Sequence, residues 1–304
     1  MDVSILISVH NRLDMTSQCL DSLWQTIPSD IRAEVRVYDD VSNDGTAQYL
    51  NSLIDLRSSL TIHHGTERGT FSRNNNLLAS QAAGDWLCFL NNDTVLSPNW
   101  LTALMALGRA HRNAGVIGNF HYFPQTGRIN HAGVVFDEER QPLQLYLGLP
   151  RELVPTFENR QMQCTSAACW LVPRESFLRL GGFDESYVNG CEDLDYCMKA
   201  RKAGQEVWYC GQSRIGHYGQ STPGRMSHDE ANHRLFWERW RETIEPDLER
   251  FTRSDGVPWP PRSPAYRIAR KIWRSRALSA IKSKLMGTRF GVRLRQKLVS
   301  TFTK

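Results

Sequence analysis

The sequence predicts an α/β protein whose first hundred residues form a parallel sheet with helices on both faces. Short β-rich runs alternate with longer amphipathic segments in the N-terminal part of the chain, and this alternation is typical of βαβ units. The 304 residues are 40% hydrophobic and 23% charged, which is ordinary for a globular protein and argues against disorder, collagen and small disulfide scaffolds. A chain of this length can bury a large core, as one domain with an appendage or as two domains.

The first elements are predicted from the spacing of apolar residues. Val3–Val9 is rich in β-branched residues and predicts a buried strand. Apolar residues then recur at helical spacing over Asp14–Gln25, which predicts the first helix. By the same criteria we predict strands at Val35–Tyr38, Leu60–His63 and Trp86–Leu90 and helices at Thr46–Leu56 and Ser72–Gln81.

The pattern changes in the second half of the chain. Gly115–Val172 is strand-like and irregular, with Gly and Pro interruptions. Helical spacing returns at Glu192–Ala203, with Gly204 placed as a C-cap, and again at His228–Arg250. Four prolines between residues 254 and 264 are typical of a stiff, extended linker. The predicted organisation is a domain at 1–253, a proline-rich linker at 254–264 and a tail at 265–304.

Four polar loops follow the predicted strands. In doubly wound sheets, ligands bind beyond the carboxyl ends of the strands, where such loops meet. The pattern therefore predicts a nucleotide-like ligand at this edge of the sheet. The loops are His10–Arg12, Asp39–Asp44, Arg68–Arg73 and Asn91–Thr94.

Two of these loops carry carboxylates with alternative interpretations. Asp39 and Asp40 can accept hydrogen bonds from a base N–H or from ribose hydroxyls, although the loop also fits an Asx turn followed by a helix N-cap. Asp93 can hold a hard divalent cation on a diphosphate, although Asn91-Asn92-Asp93 also suits a plain turn.

A second set of candidates lies further along the chain. Glu192, Asp193 and Asp195 crowd the start of a predicted helix, where like charges raise one another's pKa and favour a base. The alternative is that a helix N-terminus simply stabilises acidic residues. His217 stands between glycines in Gly216-His217-Tyr218-Gly219, although a lone histidine is more often structural than a ligand.

Together these motifs resemble family 2 glycosyltransferases, which are inverting enzymes with a GT-A fold, over about residues 2–240. The resemblance implies a Rossmann-like mixed sheet flanked by helices, to which this chain adds a C-terminal basic helical extension. The chain is similar to bacterial transferases that add single sugars to cell-surface glycans, such as rhamnosyltransferases. The resemblance rests on five motifs in the expected order and on a histidine after them. They are Val3 to Arg12, Asp39 to Thr46, Arg68-Gly69 with Ser72-Arg73-Asn74, Leu90 to Thr94, Glu192-Asp193, and His217.

The resemblance implies a role for each matching residue. Asp93 and His217 would hold Mg²⁺ or Mn²⁺, Asp193 would be the catalytic base, and Glu192 would orient the acceptor. The reaction would be one in-line displacement on a UDP- or dTDP-hexose by a hydroxyl of a glycan or lipid-linked acceptor in bacterial surface polysaccharide synthesis. The implied nucleotide-sugar-binding residues are Ser8, His10, Asn11, Arg12, Asp39, Asp40, Arg73, Asn92 and Asp93.

The sequence departs from the family pattern in two places. The position of the D-x-D motif reads Asn91-Asn92-Asp93, so Asp93 alone offers a carboxylate and metal affinity is expected to be lower. The Q-x-x-R-W signature of processive synthases is absent, and its nearest counterpart is Phe236-Trp237-Glu238-Arg239-Trp240. The alternative function is a non-catalytic nucleotide-sugar-binding or scaffold protein.

Charge is unevenly distributed along the chain. The net charge is +5, yet Arg262–Lys304 carries thirteen Lys or Arg and no acid, which leaves 24 basic and 32 acidic residues in 1–261. Apolar residues from Tyr266 to Leu285 recur at helical spacing among these cations and predict an amphipathic basic helix. We expect residues 265–304 to dock on an anionic membrane surface; packing on protein is the alternative, and no nucleic acid is expected as a partner.

Cysteine usage and the N-terminus predict the compartment. Seven cysteines without C-x-x-C spacing support neither a zinc ribbon nor a disulfide framework. The first residues lack a basic, signal-like segment, and no 18 apolar residues run together. We expect a cytoplasmic protein, peripheral on the inner face of the cytoplasmic membrane.

Overall fold

The structure is a computed structural model that describes residues 1–219 and 228–259. Within these ranges it contains twelve strands and eight α-helices. The strands are β1 (Val3–Val9), β2 (Ala33–Asp39), β3 (Leu60–His64), β4 (Trp86–Leu90), β5 (Thr94–Leu96), β6 (Ala114–Tyr122), β7 (Ile129–His131), β8 (Val134–Phe136), β9 (Pro142–Gln144), β10 (Arg160–Met162), β11 (Cys169–Pro173) and β12 (Glu206–His217). The helices are α1 (Leu13–Thr26), α2 (Thr46–Leu53), α3 (Phe71–Ser80), α4 (Trp100–Ala110), α5 (Arg174–Arg179), α6 (Glu192–Lys202), α7 (Asp229–Trp240) and α8 (Leu248–Ser254).

The main sheet is parallel in one half and mixed in the other. Its strand order is β10-β12-β6-β11-β4-β1-β2-β3, and β3, β2, β1 and β4 are parallel, as the sequence predicts. β11 is antiparallel to both β4 and β6, so the sheet as a whole is mixed, as the resemblance to the GT-A fold implies. β5 and β7 join this mixed half at β12 and β6, while β8 and β9 form a separate hairpin.

Most elements of the parallel half begin and end within two residues of the prediction. The long helix predicted over His228–Arg250 is wrong, because α7 and α8 are separate helices. Pro246 lies between them, and a proline both lacks the amide hydrogen of a helix interior and restricts the residue before it. The helices α4 and α5 and the twelve-residue strand β12 were not predicted.

The sheet is covered by helices on both faces. Along β1, Ile5 and Ile7 point towards a core that includes α1 and α4, whereas Leu6 points towards a core that includes α3, α6 and α7. This division follows from the two-residue period of a strand. A third core, next to the mixed half, is formed by β7, β8, β9 and α8. The sheet therefore presents its carboxyl-end loops from a rigid support.

All seven cysteines are free and buried. They are Cys19, Cys88, Cys164, Cys169, Cys191, Cys197 and Cys210. Burial raises the pKa of the Cys19 thiol to about 12 and also raises that of Cys210. A thiol that stays protonated inside a core packs as a small apolar side chain.

The described chain ends against the body of the protein. Asp255 accepts hydrogen bonds from Tyr146 Oη and Arg160 Nη1 at 2.5 and 2.7 Å, and the Trp259 ring lies 5.9 Å from the Tyr146 ring. The predicted basic tail at 265–304 lies outside the described residues, and the domain boundaries stay a prediction. In the part of the chain that the structure describes, no helix has the length and apolar character needed to cross a membrane.

Candidate active site

The loops after β1 and β2 are joined by hydrogen bonds. His10 Nδ1 donates to the carbonyl oxygen of Asp40 over 2.8 Å, and the Asn11 amide donates to Ser42 Oγ over 2.8 Å. Asn11 Oδ1 accepts from the amide of Asn43 at 2.8 Å. The predicted residues His10 and Asn11 therefore lie at the expected edge, where they hold the two loops together.

The same loops contain unusual backbone conformations. Asn11, Arg12 and Val41 have φ angles of 55°, 62° and 58°. Positive φ is rare for a β-branched residue, and such strain concentrates at functional sites. The Arg12 guanidinium lies 3.3 Å from Asp14 Oδ1 on the protein surface.

The two aspartates at the end of β2 are buried and hydrogen-bonded. Asp40 Oδ1 accepts from the Gly69 amide at 2.8 Å, and Asp40 Oδ2 accepts from Arg68 Nη1 at 2.7 Å. Asp39 Oδ2 lies 3.0 Å from His64 Nδ1. Asp40 thereby holds the loop after β3 against the loop after β2. The Arg68 guanidinium offsets the buried negative charge of Asp40. Arg68 belongs to a motif that carries the family resemblance, but its contact with Asp40 was not predicted from the sequence.

Two further predicted residues have contrasting surroundings. Ser8 Oγ accepts from Asn74 Nδ2 at 3.1 Å, which ties β1 to α3. Arg73 is half exposed and forms an ion pair with Glu67 at 2.8 Å. We call the loops after β1, β2 and β3 the interlocked loops. Ser8 fixes β1 beside them, whereas Arg73 lies on their solvent-exposed side.

The fourth loop brings Asp93 and His217 together. β5 pairs with the end of β12 so that Thr94 is opposite His217. As a result His217 Nε2 lies 3.3 Å from Asp93 Oδ1, with both side chains less than one-tenth exposed. Asn92 Nδ2 donates to Thr16 Oγ1 at 2.9 Å and holds this loop on α1.

The environment of His217 was not anticipated from the sequence. His121 on β6 lies between His131 on β7 and His217, with ring centroids 4.8 and 5.4 Å away. Burial lowers the pKa of His131 to about 4 and lowers the pKa of His121 well below its usual value. His217 Nδ1 faces Asn130 Oδ1 at 3.2 Å. No local motif indicates these neighbours, because they meet only through the pairing of distant strands.

The three carboxylates at the start of α6 have different environments. Asp195 is fully buried and accepts from Trp240 Nε1 at 2.8 Å and from Tyr187 Oη at 3.1 Å, so its role is structural. Glu192 is buried and accepts from the Gly190 amide. Asp193 is partly exposed, and its carboxylate is therefore the most accessible of the three.

One short loop connects Asp193 to the histidines and to the edge of β4. The Ala167 amide donates to Asp193 Oδ2 at 3.2 Å, and the Ser166 amide donates to His131 Nε2 at 3.3 Å. The carbonyl of Ala168 accepts from the Asn91 amide at 2.9 Å. The candidate base and the Asp93 loop are thus attached to the same three-residue segment.

Comparison with protein families assigns the chain to a family. The model of Glycosyl transferase family 2 matches residues 4–181, which is more than half of the chain. The chain belongs to glycosyl transferase family 2. The matched segment includes the four predicted polar loops. The family predicted from the sequence motifs is confirmed.

Two curated proteins illustrate what the chain is similar to. It is 29% identical over 252 residues to the O-antigen biosynthesis protein RfbC of Myxococcus xanthus, which covers 80% of this chain and 19% of RfbC. It is 26% identical over 228 residues to an N-acetylglucosaminyl-diphospho-decaprenol L-rhamnosyltransferase of Mycobacterium tuberculosis, which covers 66% of this chain and 72% of that protein. The chain spans 19% to 39% of the length of the first three curated relatives that it matches.

A solved structure shows the same fold. GalNAc-T7, crystallised with UDP, GalNAc and Mn²⁺, superposes with a TM-score of 0.62 at 19% sequence identity. The superposition covers 89% of this chain and 58% of that protein. At this level of identity the likeness concerns the fold, and the predicted GT-A architecture is confirmed.

Proposed function

We propose that the protein is an inverting, metal-dependent glycosyltransferase that moves one sugar from a UDP- or dTDP-hexose to a hydroxyl of a glycan or lipid-linked acceptor. The observation that carries the proposal is the buried pair of Asp93 Oδ1 and His217 Nε2, 3.3 Å apart beyond the end of β4. Family membership supports the reaction class. The names of RfbC and of the rhamnosyltransferase support bacterial surface polysaccharide synthesis as its setting.

The donor atoms of this pair fit a divalent cation. His217 Nε2 is buried and has no hydrogen-bond partner, although it faces a carboxylate oxygen. When Nδ1 carries the ring proton, both facing atoms present lone pairs, and positive charge between them removes their repulsion. One oxygen and one nitrogen ligand suit Mg²⁺ or Mn²⁺, and the nitrogen favours Mn²⁺ because Mg²⁺ prefers oxygen.

The donor would complete this site. No group of three or more His, Cys, Asp or Glu side chains within residues 1–219 and 228–259 is arranged around a metal position. Ions of this kind are commonly held by one or two protein ligands together with substrate phosphates and water. Asp93 and His217 would hold the divalent ion, which would supply positive charge to the diphosphate as the leaving group.

The interlocked loops form the nucleotide-binding part of the proposed site. Each carboxylate oxygen has two lone pairs, so Asp40 retains acceptor capacity beyond its bonds to Arg68 and Gly69. That capacity suits a base N–H or a ribose hydroxyl. Ser8, His10 and Asn11 hold the loops in place, and the rim arginines Arg12 and Arg73 offer positive charge to the donor.

Asp193 is the proposed catalytic base. Its two carboxylate oxygens accept from the Leu194 and Ala167 amides at 2.9 and 3.2 Å, which fixes its orientation. Partial exposure leaves it open to an acceptor hydroxyl. Asp193 takes the hydroxyl proton while the hydroxyl oxygen attacks the anomeric carbon. The bond from that carbon to the diphosphate oxygen breaks, the nucleoside diphosphate leaves, and this single displacement inverts the centre. Glu192 supports the acceptor beside it.

We also propose that residues 265–304 bring the enzyme to the inner face of the cytoplasmic membrane. Each basic residue near an anionic surface contributes about 1 kcal/mol, and this attraction weakens with salt. Deletion of 262–304 should abolish sedimentation with anionic vesicles and leave donor binding unchanged. Equal vesicle binding by the truncated protein would contradict the proposal.

The proposed function is tested by a transfer and donor-hydrolysis screen on a panel of nucleotide sugars, with Mn²⁺, Mg²⁺ or EDTA. Wild-type protein should turn over one donor only with metal, and Asp93→Ala should lose that activity while it remains folded. Asp30→Ala, which removes an exposed carboxylate at the opposite edge of the sheet, is the matched control. Full activity of Asp93→Ala in EDTA would refute metal use at Asp93, and donor binding without turnover would favour the scaffold alternative.

A further inference from the structure

Asn130 contacts His217 at two points. Its Oδ1 lies 3.2 Å from His217 Nδ1, and its Nδ2 lies 3.4 Å from the carbonyl oxygen of the same residue. Asn130 is the central residue of β7, which is placed by the pairing of His131 with His121 on β6. The asparagine therefore approaches His217 from a strand that pairs with neither β5 nor β12.

The two contacts determine which nitrogen of His217 carries the proton. A carbonyl oxygen only accepts hydrogen bonds, so the NH₂ group of Asn130 must be the atom that faces it. The amide oxygen is then directed at Nδ1, which must donate. The proton of the neutral ring is consequently on Nδ1, and Nε2 keeps its lone pair towards Asp93.

The surroundings of the pair restrict other arrangements. His121 packs edge-on against the His217 ring at an interplanar angle of 87°, which limits rotation of that ring. Gly219, with φ of 63°, follows closely in the chain, and a Cβ there would lie 3.4 Å from Asn130 Nδ2. That separation is an ordinary van der Waals contact, so the turn at Gly219 lies directly beside the asparagine.

We propose that Asn130 is a positioning residue that holds His217 in the Nδ1–H tautomer, so that Nε2 is always presented as a ligand beside Asp93. This inference rests on the proposed metal-dependent function. Histidine ligands in metalloproteins commonly donate their other N–H to a carbonyl or carboxylate, and loss of that partner typically weakens metal binding 10–100-fold. Here the acceptor is a side-chain amide.

The test uses the full chain and two readouts. Mn²⁺ affinity is measured from the electron paramagnetic resonance signal of free Mn²⁺, and the His217 tautomer is measured by ¹H–¹⁵N correlation of the imidazole nitrogens in the metal-free protein. Asn130→Leu removes the acceptor, whereas Asn130→Asp keeps an oxygen for Nδ1–H. We expect Mn²⁺ affinity to fall about 10–100-fold in Asn130→Leu, with Nε2–H appearing at His217, and Asn130→Asp to keep both properties of the wild type.

The outcomes separate this inference from the proposed function. If wild-type Mn²⁺ binding is lost in Asp93→Ala but unchanged in Asn130→Leu, the metal site stands and the positioning role is refuted. If both Asn130 variants lose affinity equally with an unchanged tautomer, Asn130 only supports packing, and the inference is likewise refuted. If wild-type protein has no Mn²⁺ site sensitive to Asp93→Ala, the metal-dependent function fails and the inference fails with it. Thermal unfolding of each variant establishes that it is folded.

Discussion

The polar side chains near the candidate site are arranged differently in the two halves of the sheet. In the parallel half, the loops after β1 and β2 and the loop before α3 are bonded to one another through His10, Asn11 and Asp40. In the mixed half, His121 Nδ1 and His217 Nε2 are buried without a hydrogen-bond partner. A buried polar atom without a partner costs free energy, and such atoms also occur in the parallel half, at Arg36 Nε and Ser72 Oγ. His217 Nε2 lies 3.3 Å from the Asp93 carboxylate, where a bound cation would satisfy both atoms. Under the proposed function, the parallel half would recognise the donor and the mixed half would contribute to the chemical step.

The largest effect should therefore occur at Asp193, which is bonded to the mixed half. Asp193→Asn preserves size and removes the proton acceptor, so turnover should fall by about 10²–10⁴-fold while donor affinity changes little. The measurements are steady-state transfer kinetics and donor titration. Glu192→Gln is the matched variant. Loss of turnover in Glu192→Gln with a normal rate in Asp193→Asn would reverse the two roles.

A smaller effect concerns acid stability of the mixed half. Burial lowers the pKa of His131 from 6.5 to about 4, so between these pH values the unfolded chain binds a proton that the folded protein does not. The free energy of unfolding should therefore fall as the pH drops from 6.5 towards 4, by up to about 3 kcal/mol for this residue. Urea unfolding at several pH values measures the effect.

His131→Gln should reduce the slope of that pH dependence, because glutamine does not titrate, and His121, whose pKa burial also lowers, should keep part of the slope. His111→Gln provides the control, since His111 is partly exposed and stacks on Trp208 at the other end of the sheet. An unchanged slope in His131→Gln would show that other groups cause the acid sensitivity.

The smallest effect is expected in the parallel half. Arg68→Met removes a hydrogen bond to Asp40 from a side chain that is about half exposed, so the KM for the donor should rise roughly fivefold, equivalent to about 1 kcal/mol, with little change in kcat. Donor-dependent kinetics with Arg73→Met in parallel decide which arginine matters. A larger KM effect in Arg73→Met would mean that Arg73 leaves Glu67 to meet the donor.

The parallel half could be predicted from the sequence because its signals are local. Val3–Val9 and Trp86–Leu90 are contiguous strands whose bounds agree with the prediction. The polar loops that follow them were located correctly, since the carboxyl ends of parallel strands share one edge. The interlocking of Asp40 with Arg68 was not predicted, because hydrogen-bond partners depend on the side-chain positions of two separate loops.

The mixed half could not be predicted in the same way. β5, β7 and β10 have three residues each, too few to show a period, and their places depend on pairing with other strands of the sheet. The strands of the separate β8–β9 hairpin are equally short. His217 was found through its motif, whereas Asn130, His121 and His131 have no motif. Their contact with the site arises from the register of β6, β7 and β12.

Because all seven cysteines are free and buried, the rate at which they react with a thiol reagent measures how often the surrounding structure unfolds. A maleimide reacts with a thiolate, so each buried thiol must first be exposed by local or global unfolding. Cys19 and Cys88 sample the parallel half, while Cys169 on β11 and Cys210 on β12 sample the mixed half. Peptide mapping of labelling over time would thus rank the two halves by the free energy of opening, without any substitution in the chain.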